Sequence, residues 1–225
     1  MSMASSPTCP LCGAAEPVLY AAAHGRTFWR CARCALVFVP PAAWPDAAAE
    51  KARYDQHRND PNDAGYRRFL ERIAGPIAAR VAPGAEGLDF GCGPGPALAA
   101  MLEAQGLRVA LYDPFYAPDP STLARTYDFV TATEVLEHLH RPAETLDRLF
   151  ALVKPDGWLG VMTQPVRPPE AFASWRYARD ATHVCFYSRA TFQYIGARWE
   201  VEAEFVDADV VLFRRRSRRP ARHAP

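Results

Sequence analysis

The chain has 225 residues, enough for one ordinary α/β domain and a small accessory module. Its 26 basic and 25 acidic side chains nearly cancel, which argues against a dedicated polyanion binder and makes nucleic acid a disfavoured partner. No run of about eighteen apolar residues offers a membrane span, and Met1 to Pro10 lacks the charged start and apolar core of a secretory leader. A cytoplasmic location is therefore expected, where thiols stay reduced and paired cysteines point to metal.

Residues 1–42 carry Cys9-Pro10-Leu11-Cys12 and Cys31-Ala32-Arg33-Cys34, two knuckles separated by eighteen residues. Each knuckle delivers two thiolates and the intervening hairpin brings them together, as a tetrahedral four-cysteine zinc ribbon requires. With all four positions filled by sulfur, this zinc is expected to be structural. A strand at Phe38-Val39 and a proline stop at Pro40-Pro41 close the segment. Residues 43–84 are rich in Ala, Arg and Tyr, and Tyr66, Phe69, Leu70, Ile73 and Ile77 recur at helical spacing, predicting a linker and helical lead-in.

Residues 85–214 alternate strand and helix, the pattern of an α/β, Rossmann-like sheet. Strands are predicted at Glu86–Phe90, Leu107–Tyr112, Tyr127–Thr131 and Trp158–Thr163. Helices are predicted from the glycine turn to Gln105, over Ala143–Val153, and over Arg189–Ala197 with Ser188 as N-cap. Trp199–Val206 and Asp209–Phe213 read as a closing hairpin that turns near Asp207. Only about fourteen residues separate Asp113 from Tyr127, too few for a full helix, strand and connections, so one βα unit is expected to be missing. Residues 215–225 form a basic end expected to be disordered; Arg214, Arg215, Arg216, Arg218, Arg219 and Arg222 suit a solvated tail better than a phosphate grip.

The first strand runs into Leu88-Asp89-Phe90-Gly91-Cys92-Gly93-Pro94-Gly95-Pro96, where glycines let backbone approach a ligand closely. Asp89 precedes the glycines, and a carboxylate there would repel a nucleotide pyrophosphate. S-adenosylmethionine (SAM) has no phosphate but carries an ammonium and a sulfonium, so Asp89 favours SAM. Asp113, ending the second strand, can accept both ribose hydroxyls, as acidic residues do in dinucleotide sites.

These motifs, with Tyr127-Asp128-Phe129-Val130, Glu134-Val135-Leu136-Glu137-His138-Leu139 and the run from Leu149 to Gly160, resemble a class I SAM-dependent methyltransferase over about Gly87 to Arg214. The resemblance implies that Asp89, Gly91, Cys92, Gly93, Gly95, Asp113 and Thr133 line the cofactor. The short stretch after Asp113 departs from the family, which usually has a third strand and an adenine-contacting acid there; Phe115 is a substitute adenine cover. The run Trp29 to Phe38 resembles a ribbon that precedes a subset of bacterial methyltransferases, and its purpose stays open among docking, lid and folding support.

Glu134, Glu137 and His138 share a face if they lie on one helical turn, and His183 follows in Arg179 to Tyr187. The four residues are candidate catalytic groups, with an imidazole as general base or orienting group. The Glu-x-x-Glu-His pattern with a later histidine also resembles the metal site of small-RNA 3′-terminal 2′-O-methyltransferases, and without the histidine that of ubiquinone-pathway O-methyltransferases. A second divalent metal at Glu134, Glu137, His138 and His183 is the corresponding expectation. Phe172, Trp175, Tyr177, Phe186 and Tyr187 read equally as a pocket wall or as packing, as do Tyr54 and Tyr66. Cys92 and Cys185 read as small buried side chains.

The resulting expectation is a methyltransferase acting on a small-molecule acceptor, with O-methylation first. The rivals are a metal-dependent RNA 2′-O-methyltransferase, a non-catalytic SAM-binding or ribbon interaction module, and a nucleotide-dependent oxidoreductase. The acceptor and the oligomeric state carry no sequence signal.

Overall fold

The computed structural model describes residues 7–56 and 59–217. The chain opens with an antiparallel hairpin, β1 (Val18–Ala23) and β2 (Arg26–Arg30), turning through His24 and Gly25 at φ 53° and 70°. The next strand, β3 (Val37–Phe38), pairs antiparallel with β2 and so returns the second cysteine knuckle to the first.

Two helices follow, each opened by an aspartate that accepts a bond from the helix's third backbone N–H. Asp46 caps α1 (Ala47–Tyr54) and Asp63 caps α2 (Ala64–Ala78). The apolar stripe read from the sequence is the buried face of α2: Leu70, Ile73, Ala74 and Ile77 are within 1% of full burial. It rests on the sheet at Gly160, where a Cβ would stand 3.0 Å from Ile77 Cδ1, so glycine is what lets helix and sheet close.

The α/β segment contains β4 (Glu86–Phe90), α3 (Ala97–Glu103), β5 (Arg108–Tyr112), β6 (Tyr127–Thr133), α4 (Pro142–Leu152) and β7 (Val153–Met162). It continues with α5 (Arg176–Arg179), β8 (Cys185–Phe186), α6 (Arg189–Arg198), β9 (Glu202–Phe205) and β10 (Val210–Arg214). Six strands form one sheet in the order β5-β4-β6-β7-β10-β9. The four strands β5, β4, β6 and β7 run parallel, and the closing hairpin adds β10 and β9 antiparallel. This is the mostly parallel α/β sheet expected. The shortened unit is visible too: between β5 and β6 the chain makes only a short 3-10 turn at Pro120–Ala124, leaving β5 as the sheet edge.

Three local differences have physical causes. The interval left between the predicted helix Ala143–Val153 and strand Trp158–Thr163 is absorbed into β7, which starts directly from α4 and carries a register shift between Tyr127 and Phe129 of its partner β6. Asp156, at φ 64°, donates from its N–H to Arg215 O at 2.6 Å, and Arg215 N–H returns a bond to Gly157 O at 3.0 Å. That exchange extends the β7–β10 ladder, so the basic end is docked as far as Arg215; residues 218–225, with Arg218, Arg219 and Arg222, lie outside the described residues. The third difference concerns the ribbon. Its sheet has four strands, β1-β2-β3-β8, and the last comes from the α/β segment through Val37↔Phe186 and Phe38↔Cys185.

The core follows that pairing. Phe28, fully buried on β2, packs edge-on to Phe172 and Phe186 at ring distances of 4.9 and 5.6 Å. Phe172, Phe186 and Tyr187 are no more than 1% exposed, so most of the aromatic cluster is packing between ribbon and sheet. Of that set only Tyr177 reaches the cleft. On the opposite side of the sheet, a second core joins α2 and α3 to Phe129, Met162 and Leu212.

Candidate active site

A cleft of about 650 Å³ opens at the carboxyl ends of β4, β5 and β6, roofed by α1 and the start of α2. All the residues assigned to the cofactor from sequence line it: Asp89, Gly91, Cys92, Gly93, Gly95, Asp113 and Thr133. Gly91 has φ 77° and a Cβ on it would stand 2.4 Å from Val135 Cγ2. At Gly95 a Cβ would meet Asn59 O at 2.1 Å, because the lead-in loop lies directly over the glycine turn. Asp113 pins the turn: Oδ2 accepts from Gly93 N at 3.1 Å, and Oδ1 from Phe115 N at 2.8 Å and Tyr116 N at 3.1 Å.

Asp89 is 4% exposed and accepts one bond, from Thr131 Oγ1 at 2.9 Å. Burial pushes its carboxyl up to about 6, partly offset by that hydrogen bond and reinforced by the Asp113 charge. A carboxylate buried this way at the end of β4 is a place for a cationic group. Cys92 is 8% exposed and burial pushes its thiol up to about 12, which fits a small lining side chain and not a nucleophile. Thr133 Oγ1 is buried without a partner among the described residues. The cradle therefore fits the methionine and sugar parts of SAM.

Deeper in the cleft, Glu137, His138 and His183 converge, with one ligand atom of each within 4.8 Å of the others. A short 3-10 turn at Leu136–His138 presents the first two, and the loop before β8 supplies the third. Glu137 is fully buried; its Oε2 accepts from Thr163 Oγ1 at 2.8 Å, and Tyr177 OH lies 2.9 Å from that hydroxyl oxygen. Its Oε1 has no hydrogen-bond partner among the described residues and lies 4.0 Å from His138 Nε2.

Both histidines are oriented by backbone carbonyls. His138 Nδ1 meets Thr182 O at 3.1 Å and His183 Nδ1 meets Tyr177 O at 2.8 Å. A carbonyl only accepts, so each Nδ1 carries a proton and Nε2 is the nitrogen left for a ligand. The rings stand 4.7 Å apart at 71°. Burial, with His138 beside it, holds the His183 imidazole well below its usual range, so His183 stays neutral.

Glu134 departs from the expectation. The turn carrying Glu137 and His138 begins after it, and Glu134 itself has φ 52°, so the three do not share a helical face. It lines the cleft, but the cluster of candidate metal donors holds Glu137, His138 and His183 without it. Burial and the Glu137 charge push its carboxyl upward.

Sequence reasoning also missed Glu50, Asn59 and Asp180 as cleft residues. The first two stand in the lead-in, and only the fold carries that segment over the glycine turn. With Asp89, Asp113, Glu134 and Glu137, the carboxylates Glu50 and Asp180 give six acidic residues and two histidines among the described lining residues, which include no Lys or Arg. At the ribbon the four expected ligands come together: Cys9 and Cys34 Sγ lie 3.5 Å apart, Cys12 and Cys31 Sγ 3.4 Å apart, and all four within 4.8 Å.

A six-stranded sheet of this order, with a glycine turn and acidic strand ends lining one cleft, defines a SAM-dependent methyltransferase. A family profile for a methyltransferase domain matches residues 54–198, and the chain belongs to that family. The sheet is similar to that of 1,6-didemethyltoxoflavin-N1-methyltransferase from Burkholderia thailandensis, solved with 1,6-didemethyltoxoflavin and S-adenosylhomocysteine. Identity is 16%, the TM-score 0.52, and the match covers 84% of this chain and 99% of that one. An O-methyltransferase family protein from the same organism matches at 16% identity and TM-score 0.52 over 75% of this chain; the match spans 63% of that chain. No curated protein sequence matches. Among the described residues no helix is long and apolar enough to cross a membrane.

Proposed function

We propose that the protein transfers the SAM methyl group to an oxygen of a small molecule, with Glu137, His138 and His183 holding the acceptor. The observation that carries this reading is the orphaned Oε1 of fully buried Glu137 beside two imidazoles whose Nδ1 atoms are already committed. Such a wall offers acceptors only, so it suits a hydroxyl that must be oriented and relieved of its proton. Asp89 would meet the cofactor's ammonium and Asp113 its ribose hydroxyls, with the glycine turn giving backbone approach. In-line attack then depends on positioning the acceptor against the sulfonium.

A second reading shares the same residues. Two neutral-nitrogen donors and one carboxylate within 4.8 Å suit a divalent cation. When bound, such an ion would hold substrate oxygens and lower the hydroxyl pKa. The RNA rival has less support: a phosphate backbone entering this cleft would meet six acidic residues and, among the described lining residues, no Lys or Arg. For the ribbon we propose structural zinc on Cys9, Cys12, Cys31 and Cys34, suited to a cytoplasmic setting where thiols stay reduced.

The test is calorimetry with S-adenosylhomocysteine, followed by transfer of labelled methyl from SAM to a panel of phenols, catechols, sugars and amines, with and without added Mg²⁺ or Mn²⁺. Oxygen-methylated product that is lost in His183→Ala and Glu137→Gln, both still binding S-adenosylhomocysteine, is expected. Turnover confined to amines, or unaffected by both substitutions, would overturn the oxygen assignment. Turnover in the parent only with the cation, together with calorimetric cation binding that is lost in Glu137→Gln, would select the metal reading.

A further inference from the structure

The ribbon contributes one side chain to the loop that carries the second histidine. Arg26, the first residue of β2, reaches across to residues 178–183 and donates to four backbone carbonyls there. Its Nη2 meets Ala178 O at 2.6 Å and Asp180 O at 2.8 Å; its Nη1 meets His183 O at 2.9 Å and Ala181 O at 3.2 Å. The guanidinium also lies over the Phe28 ring at 5.2 Å. Its fork therefore gathers the last carbonyls of α5 and the turn beyond it.

Two more carbonyls of the same loop, Tyr177 O and Thr182 O, are the partners of His183 Nδ1 and His138 Nδ1. Six carbonyls over seven residues thus divide between one guanidinium and two imidazoles. If Arg26 let go, Ala178 O, Ala181 O and His183 O would need other donors, Asp180 O alone keeping a bond, from His183 N–H at 3.2 Å, and the loop would have to turn to find them. The two that fix the imidazoles would turn with it. Arg53 on α1 holds the same turn from the other side through Asp180, at 2.7 Å.

We propose that Arg26 is a positioning residue for the acceptor site: the ribbon acts as a clamp that sets the tautomer and aim of His138 and His183. This gives the N-terminal module a role in the chemistry beyond folding support. It rests on the assignment of the two histidines to the acceptor site, but not on which acceptor they hold.

The test uses the full chain with its zinc loaded, and its spectroscopic arm needs no substrate. Arg26→Ala and Arg26→Lys are compared with the parent by long-range ¹H–¹⁵N spectra of the imidazoles, by calorimetry with S-adenosylhomocysteine, and by thermal unfolding. In the parent both rings should show the Nδ1-protonated form. In Arg26→Ala the spectrum should pass to a mixture of tautomers at His138, His183 or both, while S-adenosylhomocysteine affinity stays within about twofold, because Asp89 and Asp113 lie outside the loop. Added guanidinium at millimolar concentration should return the parent spectrum, which a merely destabilised fold would not do. Lysine keeps the charge but not the fork, so Arg26→Lys should fall between the two.

Unchanged imidazole spectra in a folded Arg26→Ala would overturn the clamp and leave the histidine assignment standing. If Arg26→Ala does not fold, the same reading in Arg26→Lys decides. Altered spectra in Arg26→Ala, together with full methyl transfer in His138→Ala and His183→Ala, would instead confirm the clamp and remove its catalytic purpose.

Discussion

At the residue scale, Asp89 gives the sharpest prediction. Its carboxyl titrates near 6 because burial disfavours its charge. For an acid raised in the folded state, the sign is a loss of stability as pH rises from the ordinary carboxylate range through about 6. A cofactor ammonium reverses the balance by favouring the carboxylate. S-adenosylhomocysteine binding should therefore weaken as pH falls from about 7 to about 5 and release a proton near pH 6, seen by calorimetry in buffers of different ionisation enthalpy. Asp89→Asn should lose the proton release and weaken binding roughly 10- to 100-fold, the loss of one charge-assisted hydrogen bond of about 1.5–3 kcal/mol. Gly95→Ala is a steric counterpart: its Cβ has no room against Asn59 O, so the lead-in loop must lift and cofactor affinity should fall while the sheet persists by circular dichroism.

Residues also show why part of the site was legible in the sequence. Asp89, Gly91, Gly93, Gly95 and Asp113 stand within one strand–turn–helix–strand stretch, so their spacing alone placed them together. Glu137, His138 and His183 needed a longer reach, and the pattern named them without the carbonyls that aim them. Glu134 was drawn into that group by helical spacing. The chain instead takes a left-handed residue at that point and starts a 3-10 turn after it. Arg26 left no signal, because its four hydrogen bonds go to backbone carbonyls, which no pattern of side chains in a sequence reveals.

At the element scale, periodicity and capping found α2, β4 to β7, α6 with its Ser188 N-cap, and the closing hairpin. What periodicity could not find is β8. A two-residue strand has no period, and its partner β3 lies in another segment of the chain. The aromatic residues around it looked as much like a pocket wall as a core for the same reason. Phe28 now tests that joint: Phe28→Ala removes a fully buried ring packed on Phe172 and Phe186, and should cost about 3–5 kcal/mol by urea unfolding. A loss below about 1 kcal/mol would mean the ribbon rests on the sheet only loosely.

On the scale of the whole molecule, ribbon and sheet share one apolar core, which runs from Leu11 and Phe28 through Phe172 and Phe186 to Val130 and Leu159. A shared core predicts one unfolding transition instead of two. Adding a strong chelator should lower that single transition for the entire chain, and intrinsic fluorescence and circular dichroism should report the same midpoint. Two separated transitions would show that the N-terminal module melts by itself.

The pairing of Val37 with Phe186 also sets an order of events during synthesis. The cysteine knuckles leave the ribosome ahead of the strand that completes their sheet, which is made about 150 residues later, roughly 8–30 s at ordinary elongation rates. Through that interval Phe28 and Phe38 have no permanent cover and the four thiols are open to whatever metal or oxidant is near. Ion capture at the knuckles can stabilise the nascent hairpin before its neighbour exists, so metal supply during translation should govern how much of the protein matures.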